Sequence, residues 1–383
     1  MSKKVVLGMS GGVDSSVAAY LLKEQGYEVV GLTMRLCDGI VHGTESEAIS
    51  IVRSVAERIG VDFISADYRD EFLEFVVNPF IETYEKGMTP NPCIECNRCI
   101  KFDLLMNDSD EGYEDDVENT PLVATGHYAI VEAPCEGANL FELSDSPRCH
   151  ALSDFASSAG RWKLRKSANP EKDQSYFLYT LSQDVLSRVI FPLGDLDKAA
   201  VREIAEKNGL VNARRKDSQD ICFIPDGDYA GFIARMTGKN YPAGNFVDRN
   251  GNILGRHKGI INYTLGQRKG LGLALKKPMY VYKLDMERNE VVLSDNADLF
   301  STELTADNFN WVSIGNPGTP FRALGRIRYR HKEAPCTVTP HEDGSVSVVF
   351  DEPQRAITAG QSLVLYDIAS DQYVLGGGMI HTN

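Results

Sequence analysis

The amino-terminal third of the chain alternates short apolar runs with amphipathic stretches. Two of these stretches repeat apolar residues at helical spacing, at 14–26 and 45–60, and each closes on a glycine, Gly26 or Gly60. The apolar runs have the length of strands and lie at 3–9, 27–36, 61–67 and 121–127. Strands that alternate with helices predict an α/β domain, a doubly wound parallel sheet with helices on both faces.

The pattern changes after about residue 205, where glycine, asparagine and arginine become frequent. From residue 276 onward, turn residues separate runs of alternating polar and apolar residues, at 276–294, 321–330, 334–353, 362–367 and 373–380. Such runs predict a small antiparallel β-barrel. We therefore expect three domains, at 1–205, 206–275 and 276–383, with insertions in the first domain at about 107–120 and 132–161.

Charge is distributed unevenly along the 383 residues, whose formal net charge is −14. The stretch 107–120 holds seven acidic residues and no basic ones, which is typical of a solvated loop. Residues 200–277 contain 14 Lys and Arg but 7 Asp and Glu, a local charge of +7. A basic zone in an acidic protein favours an RNA partner, and we expect no DNA partner.

The run RYRHK at 328–332 is a second basic stretch. On a strand, Arg328, Arg330 and Lys332 would share one face, an arrangement that suits phosphate contacts. An ordinary solvated barrel strand is the alternative interpretation.

Neither a membrane span nor a secretory leader is indicated by the sequence. No apolar stretch approaches the length of a span, and the first ten residues lack the apolar core of a signal peptide. We therefore expect a cytoplasmic protein without a membrane partner.

The segment from Gly8 to Ser15 is a glycine-rich turn between the first predicted strand and the first predicted helix. Backbone N–H groups of such a turn, aimed from a helix start, form an anion-binding site. A Walker phosphate loop would end in Gly-Lys-Ser or Gly-Lys-Thr, whereas this turn contains no lysine. A tight turn with Asp14 as a helix cap is the alternative interpretation.

Three cysteines, Cys93, Cys96 and Cys99, are spaced three residues apart within TPNPCIECNRCIKF. A helix beginning after Pro92 would place them close together, and its start would lower a thiol pKa. Cys222 is distant in the sequence, but two loops that carry thiols can converge on one site. In a reducing compartment such a set favours metal or redox chemistry, and four thiolates also suit zinc.

The turn SGGVDS resembles the PP-loop of the ATP pyrophosphatases, which have the fold of adenine nucleotide α-hydrolases. The resemblance implies an enzyme that cuts ATP between the α- and β-phosphates. A substrate oxygen attacks the α-phosphorus, an adenylate forms and pyrophosphate leaves. ATP and Mg²⁺ are the implied cofactors, with the loop holding the pyrophosphate and Asp14 nearby.

Motifs along nearly the whole chain resemble those of the tRNA-specific 2-thiouridylase family. They are GMSGGVDSSVAA, TPNPCIECN, ATGHYA, KDQSYFLY, FPLGDLDKAAVREIA, KDSQDICFI, YTLGQRKGLG, RIRYRH and AITAGQSLVLYD. The resemblance implies ATP-dependent 2-thiolation of the tRNA wobble uridine, which must leave its stack to enter the site. The implied partners are tRNA and a sulfur donor protein or cysteine desulfurase.

The resemblance also implies roles for the residues at matching positions. The nucleophile falls on Cys96 and the persulfide-bearing cysteine on Cys222. The implied ATP contacts are Gly8, Met9, Ser10, Gly11, Gly12, Val13, Asp14, Ser15, Met34 and Gly126. Contacts with the target base or the tRNA are implied for Asn91, Pro92, Cys93, His127, Lys172, Asp173, Gln174, Arg328, Tyr329 and Gln361.

The chain departs from part of the family at position 93, where some members carry Asp and this chain has Cys93. With a cysteine there, Cys93, Cys96 and Cys222 could hold three irons of a 4Fe-4S cluster whose fourth iron binds sulfide. The alternative is a persulfide on Cys222, after which Cys96 ends disulfide-bonded to Cys222.

Two other functions stay open on the sequence. Another PP-loop adenylating enzyme, such as an argininosuccinate-, GMP- or NAD-type synthetase, shares the loop but needs no cysteine pair. A non-catalytic RNA-binding or iron–sulfur protein could retain ATP binding. Substitution of Cys96 or Cys222 separates the first alternative from a sulfurtransferase, and tRNA-dependent release of pyrophosphate excludes the second.

Overall fold

The computed structural model describes residues 3–36, 45–110, 120–134, 158, 160–215 and 221–381, apart from the side chains of 45–48. Most of the two expected insertions lies outside these residues. The strands up to residue 190 are β1 (Lys4–Gly8), β2 (Glu28–Arg35), β3 (Asp62–Asp67), β4 (Leu122–Thr125), β5 (Ala129–Glu132), β6 (Lys163–Lys166) and β7 (Val189–Ile190). A parallel sheet has the order β3-β2-β1-β4-β7, which confirms the fold expected for this part of the chain, while β5 and β6 form an antiparallel pair.

The strand order reverses at β1. The chain runs from β1 to β2 and β3 on one side, then crosses to β4 and β7 on the other. Gly8, the last residue of β1, pairs with Leu32 of β2 and with Thr125 of β4. Ligands of open α/β sheets bind in the crevice at such a reversal, outside the carboxyl ends of the strands. The end of β1 is therefore the expected place for a ligand.

Nine α-helices occur among the described residues, and the last of them packs with the central strands that follow it. They are α1 (Val13–Glu24), α2 (Glu45–Ile59), α3 (Arg69–Phe72), α4 (Asn78–Glu85), α5 (Pro92–Glu95), α6 (Leu105–Asp110), α7 (Gln183–Arg188), α8 (Lys198–Lys207) and α9 (Tyr229–Thr237). The π-helical segments Leu73–Val77 and Cys96–Leu104 join α3 to α4 and α5 to α6. None of the described helices is long and apolar enough to cross a membrane.

Two further sheets follow. A four-stranded sheet of order β10-β11-β8-β9 is made from β8 (Gly244–Val247), β9 (Ile253–His257), β10 (Tyr280–Asp285) and β11 (Glu290–Ser294). The alternation pattern grouped the run 276–294 with the barrel, but its strands β10 and β11 pair with each other and β11 pairs with β8. The exact domain limits stay a prediction. The expected barrel is confirmed and closes in the order β12-β15-β14-β13-β16-β17, from β12 (Phe300–Trp311), β13 (Phe321–Arg326), β14 (Ala334–Pro340), β15 (Val346–Arg355), β16 (Ser362–Tyr366) and β17 (Val374–His381).

The barrel packs against the amino-terminal part through a shared apolar cluster. Tyr176 and Tyr179 lie in one buried cluster with Val364 and Tyr366 of β16. The Tyr176 hydroxyl donates to the carbonyl of Ser362 at 2.9 Å, and the Tyr179 hydroxyl lies 3.0 Å from the Ser362 hydroxyl. Because buried hydroxyls need partners, these bonds fix the barrel in one orientation beside the parallel sheet.

Candidate nucleotide pocket and thiol site

A cavity of about 360 Å³ lies at the carboxyl ends of β1, β2 and β4, where the strand order reverses. Its walls contain most of the residues expected to contact ATP, together with several that the motifs did not single out. The lining residues are Gly8, Met9, Ser10, Asp14, Ser15, Leu32, Met34, Leu36, Lys101, Thr125, Gly126, His127 and Gln174. This lining combines backbone and hydroxyl groups with apolar side chains, a combination that suits the binding of a nucleotide.

The conformation of the turn after β1 is stabilised by hydrogen bonds between its own hydroxyl and backbone groups. Gly11 has a φ of 75°, a left-handed conformation that glycine adopts without strain. The Ser15 hydroxyl accepts from the Ser10 backbone N–H at 3.2 Å and donates to the Gly12 carbonyl at 3.2 Å. Gly12 is the N-cap of α1 and Val13 its first residue, so the turn leads into a helix start that favours an anion.

Asp14 does not cap α1, contrary to the alternative interpretation of the turn. Its carboxylate accepts from the Lys198 ammonium at 2.7 and 2.8 Å and from the Tyr128 hydroxyl at 2.7 Å. Lys198 opens α8, whose N-cap Asp197 accepts from the backbone N–H of Ala200. The motif FPLGDLDKAAVREIA contained this lysine, but nothing in the sequence paired it with Asp14.

Gly126 brings β4 against the start of α1. A Cβ atom on Gly126 would lie 2.8 Å from the Ser15 nitrogen and 3.0 Å from the Asp14 carbonyl carbon. Both atoms belong to backbone and cannot turn away, so a larger residue would push the loop from its place. The close approach explains why this position is glycine.

His127 follows Gly126 and is buried. Its Nδ1 lies 2.7 Å from the Thr125 hydroxyl, and its ring packs beside Phe102 and Phe191. Burial, and next the positive charge of Lys101, hold the pKa of His127 well below its usual value. The ring is therefore neutral at physiological pH and serves as a hydrogen-bonding group rather than a cation.

The cysteine helix begins at Pro92 with Asn91 as its N-cap, which confirms the helix expected there. Cys93 is exposed, Cys99 is half-buried, and Cys96 is 7% exposed. Burial raises the pKa of Cys96 to about 12, although Lys101 lowers it. The expectation that the helix start would lower this thiol's pKa is wrong for Cys96, because desolvation outweighs the dipole.

Cys222 and Cys96 come close in the tertiary structure although they are distant in sequence. Cys222 is exposed and acts electrostatically on the Cys96 thiol. The residues after it, Phe223 and Ile224, lie in the apolar cluster that contains Cys96, with Met34 packed at its edge. Because Met34 also lines the nucleotide cavity, the cluster that contains Cys96 borders that cavity.

Metal ligation by the thiols is the other use of this cysteine set that the sequence left open. Among the described residues, no group of three or more His, Cys, Asp or Glu side chains lies close enough to hold a metal ion. The ligation of a 4Fe-4S cluster by Cys93, Cys96 and Cys222, or of zinc with Cys99 as well, stays a prediction.

The residues expected to meet the target base are held by the barrel. The Gln361 amide of the turn before β16 donates to the carbonyl of Thr89 at 2.8 Å, and the Thr89 N–H donates to the carbonyl of Ala359. These bonds fix the segment that leads to Asn91 and Pro92. Gln361 thus acts on the segment before the cysteine helix.

The segment 172–174 lies partly inside the protein. The buried Asp173 carboxylate accepts from the backbone and hydroxyl of Ser175 and lies 3.8 Å from Arg326. Gln174 lines the cavity and accepts from the backbone N–H of Tyr128 at 2.9 Å. Lys172 is half-buried. Asp173 therefore holds the turn that positions its two neighbours.

The basic run 328–332 is a turn after β13 rather than a strand, because the Arg328 carbonyl accepts from the His331 N–H at 2.9 Å. The prediction that Arg328, Arg330 and Lys332 share one face of a strand is therefore wrong. The Tyr329 ring packs on Phe177 with centroids 4.3 Å apart, and Arg328 is half-buried. Arg330 and Lys332 are exposed.

Comparison with known proteins agrees with this architecture. The model of the tRNA methyl transferase HUP domain family matches residues 3–226. The tRNA methyl transferase PRC-barrel domain matches 230–295, and the aminomethyltransferase β-barrel domain matches 301–380. The chain is therefore an α/β protein of the HUP class that carries two further β domains.

Full-length relatives identify the family more narrowly. The tRNA-specific 2-thiouridylase MnmA of Acetivibrio thermocellus is 44% identical over 99% of each chain. That of Clostridioides difficile is 45% identical over 99% of this chain and 98% of its own. The chain belongs to the tRNA-specific 2-thiouridylase family. Among solved structures, the NMN synthetase of Francisella tularensis covers 62% of this chain and 79% of its own at 14% identity, with a TM-score of 0.31 that supports no conclusion.

Proposed function

We propose that this protein is a tRNA sulfurtransferase that replaces the C2 oxygen of the wobble uridine with sulfur at the expense of ATP. The observation that supports it most is the approach of Cys222 to Cys96, whose apolar cluster borders a cavity at the strand-order reversal. The full-length similarity to relatives named tRNA-specific 2-thiouridylases supports the same substrate. A cytoplasmic location and the absence of a DNA partner belong to this proposal.

The first step is adenylation of the uridine. Backbone N–H groups of the loop, at the start of α1, hold the β- and γ-phosphates. The uridine O2 attacks the α-phosphorus, the bond from phosphorus to the bridging oxygen breaks, and pyrophosphate leaves. Mg²⁺ takes oxygen ligands, and Asp14 is the carboxylate that lines the cavity among the described residues, so the donor set fits this ion. When bound, Mg²⁺ supplies neutralising charge for the phosphates.

The second step delivers the sulfur. A donor protein or cysteine desulfurase loads a persulfide on Cys222, whose exposure gives a large partner access to it. The Cys96 sulfur gives up its proton and attacks the inner sulfur of the persulfide, so a disulfide forms and hydrosulfide leaves. Hydrosulfide attacks C2 of the adenylated uridine, the bond from C2 to O2 breaks, and AMP departs. A thiol reductant then restores Cys96 and Cys222.

The tRNA is recognised around the mouth of this site. The uridine must leave the anticodon stack to reach the thiols. Asn91, Pro92 and Cys93 border the base, and the neutral His127 ring offers it a hydrogen bond. Further tRNA contacts are assigned to Lys172, Gln174, Arg328 and Tyr329, whereas the resemblance also implied Asp173 and Gln361. Since Asp173 and Gln361 bind other parts of the protein, we assign them to the placement of their neighbours.

The test is reconstitution with unmodified tRNA, ATP and a persulfide donor, followed by mass spectrometry of the digested nucleosides. We expect 2-thiouridine with matched release of AMP and pyrophosphate. Cys96→Ser and Cys222→Ser should abolish the thiolated nucleoside but keep tRNA-dependent pyrophosphate release. Cys99→Ser, three residues from Cys96 on the same helix, is the matched control and should retain activity.

Two results would overturn the proposal. Thiolation that survives loss of both cysteines would exclude their role, and pyrophosphate release with an amino acid or nucleotide instead of tRNA would indicate a different PP-loop synthetase. The family models carry methyl transferase descriptions, and the nucleoside mass separates a methyl group from sulfur.

A further inference from the structure

Lys101 is a cation that no motif singled out, yet it lines the nucleotide cavity. It is the single Lys or Arg among the described lining residues, and its side chain is half-buried. Asp14, which also lines the cavity, has its charge balanced by Lys198. Lys101 therefore supplies the cavity wall with a positive charge of its own.

The π-helical segment explains how Lys101 reaches the same region as Cys96. Lys101 follows Cys96 by five residues, and both lie in the segment Cys96–Leu104. A π-helix bonds residue i to residue i+5, so residues five apart lie on adjacent turns and closer to one face than in an α-helix. In an α-helix, with 3.6 residues per turn, the same spacing would turn the lysine toward another face.

Two electrostatic relationships link Lys101 to the thiol and to the histidine. Lys101 lowers the pKa of Cys96 and also contributes to the lowered pKa of His127. The other groups acting on Cys96 are the thiols of Cys222, Cys93 and Cys99. The cation thus borders both the nucleotide cavity and the thiol that takes part in sulfur transfer.

The order of the reacting atoms indicates which group of the nucleotide Lys101 contacts. In the proposed reaction the loop holds the pyrophosphate and the thiols supply the sulfur that attacks C2 of the uridine. The α-phosphorus, O2 and C2 therefore lie between the loop and the thiols. We propose that Lys101 binds the α-phosphate of the nucleotide and stabilises the negative charge that grows there during adenylation and again when AMP leaves. This inference rests on the proposed function and adds to it the residue that serves both steps.

Binding of AMP and of adenosine to the protein alone tests the phosphate contact. We expect Lys101→Met to weaken AMP about tenfold, as loss of a charge-assisted hydrogen bond does, and to leave adenosine unchanged. Lys101→Arg should retain most of the AMP affinity. Arg98→Met is the matched control, because Arg98 lies on the same segment, is exposed and pairs with Glu95. Equal loss for AMP and adenosine would indicate a structural role and overturn the inference.

Turnover gives the second readout. Removing one charge from a preorganised site lowers kcat by about 100-fold or more, and we expect this for pyrophosphate release by Lys101→Met with a smaller change in KM for ATP. Normal kcat together with normal AMP affinity in this variant would refute the assignment. If the wild type binds AMP but makes no 2-thiouridine, the proposed function fails while the binding comparison still decides the role of Lys101.

Discussion

The ammonium group of Lys198 lies 2.7 and 2.8 Å from the two carboxylate oxygens of Asp14, although 184 residues separate the two in the chain. The glycine turn that contains Asp14 has no lysine of its own. A lysine from the start of α8 instead pairs with the carboxylate of this turn. The pair ties α8 to the start of α1 and keeps the Asp14 carboxylate from repelling phosphates.

Lys198→Met should weaken ATP binding by about tenfold or more, about 1.4 kcal/mol, because it leaves the Asp14 charge unbalanced beside the phosphates. Equilibrium binding of an ATP analogue measures the effect. Lys207→Met at the other end of α8 is the control, since Lys207 forms an exposed pair with Glu203. Unchanged affinity in Lys198→Met would show that the pair has no part in binding.

Gly126→Ala should displace the phosphate loop, because its Cβ would approach the backbone of Ser15 to 2.8 Å. We expect loss of measurable ATP binding and a lower Tm. Gly8→Ala is the comparison for stability, since its Cβ would meet Thr125 and Leu105 at ordinary distances of 3.7 and 3.8 Å and its Tm should change less. An equal fall in Tm for the two variants would contradict the steric argument.

Arg326→Met should destabilise the fold by about 3 kcal/mol, because it leaves the buried Asp173 without its cation. Glu333 would keep its second partner, Lys166. Urea unfolding measures the change. Arg322→Met on the same strand is the control: Arg322 forms an exposed pair with Asp351, and such pairs contribute less than about 1 kcal/mol. Equal losses would show that burial of the pair is unimportant.

The free energy of unfolding should fall as pH rises above 9. Burial raises the pKa of Cys96 and of Cys336 from 9.0 to about 12 in the folded protein, whereas the unfolded chain releases these protons near 9.0. The folded state then binds more protons, so each thiol costs up to about 1.4 kcal/mol per pH unit until the folded pKa is reached.

Cys336→Val removes one of these groups while filling the barrel core, and the slope of unfolding free energy against pH should become less steep. Cys93→Ala removes an exposed thiol and should leave the slope as it is. An unchanged slope in Cys336→Val would contradict the burial argument.

Local patterns were enough to predict much of the architecture and part of the site. The apolar runs around Leu7 and Leu32 are short and lie next to helical stretches, and a sheet with flanking helices is the arrangement that buries both. The turn from Ser10 to Ser15 carries its chemistry in its own backbone, so its place at a helix start followed from the sequence. The start of the cysteine helix at Pro92 could likewise be predicted from the local sequence.

Contacts between distant segments could not be predicted in this way. The pairing of Asp14 with Lys198, the burial that raises the pKa of Cys96, and the approach of Cys222 depend on how separate elements pack. The turn at 328–332 differs from its expected strand for the same reason, since the packing of Tyr329 on Phe177 outweighs local propensity.

The sequence by itself therefore determined the elements, the anion-binding turn and the residue types available for sulfur chemistry, because backbone conformation and apolar spacing act over a few residues. The tertiary structure alone decided which charges balance one another and which thiol is removed from water. Electrostatic energies and desolvation depend on distance and burial in space, and neither quantity can be read along the chain.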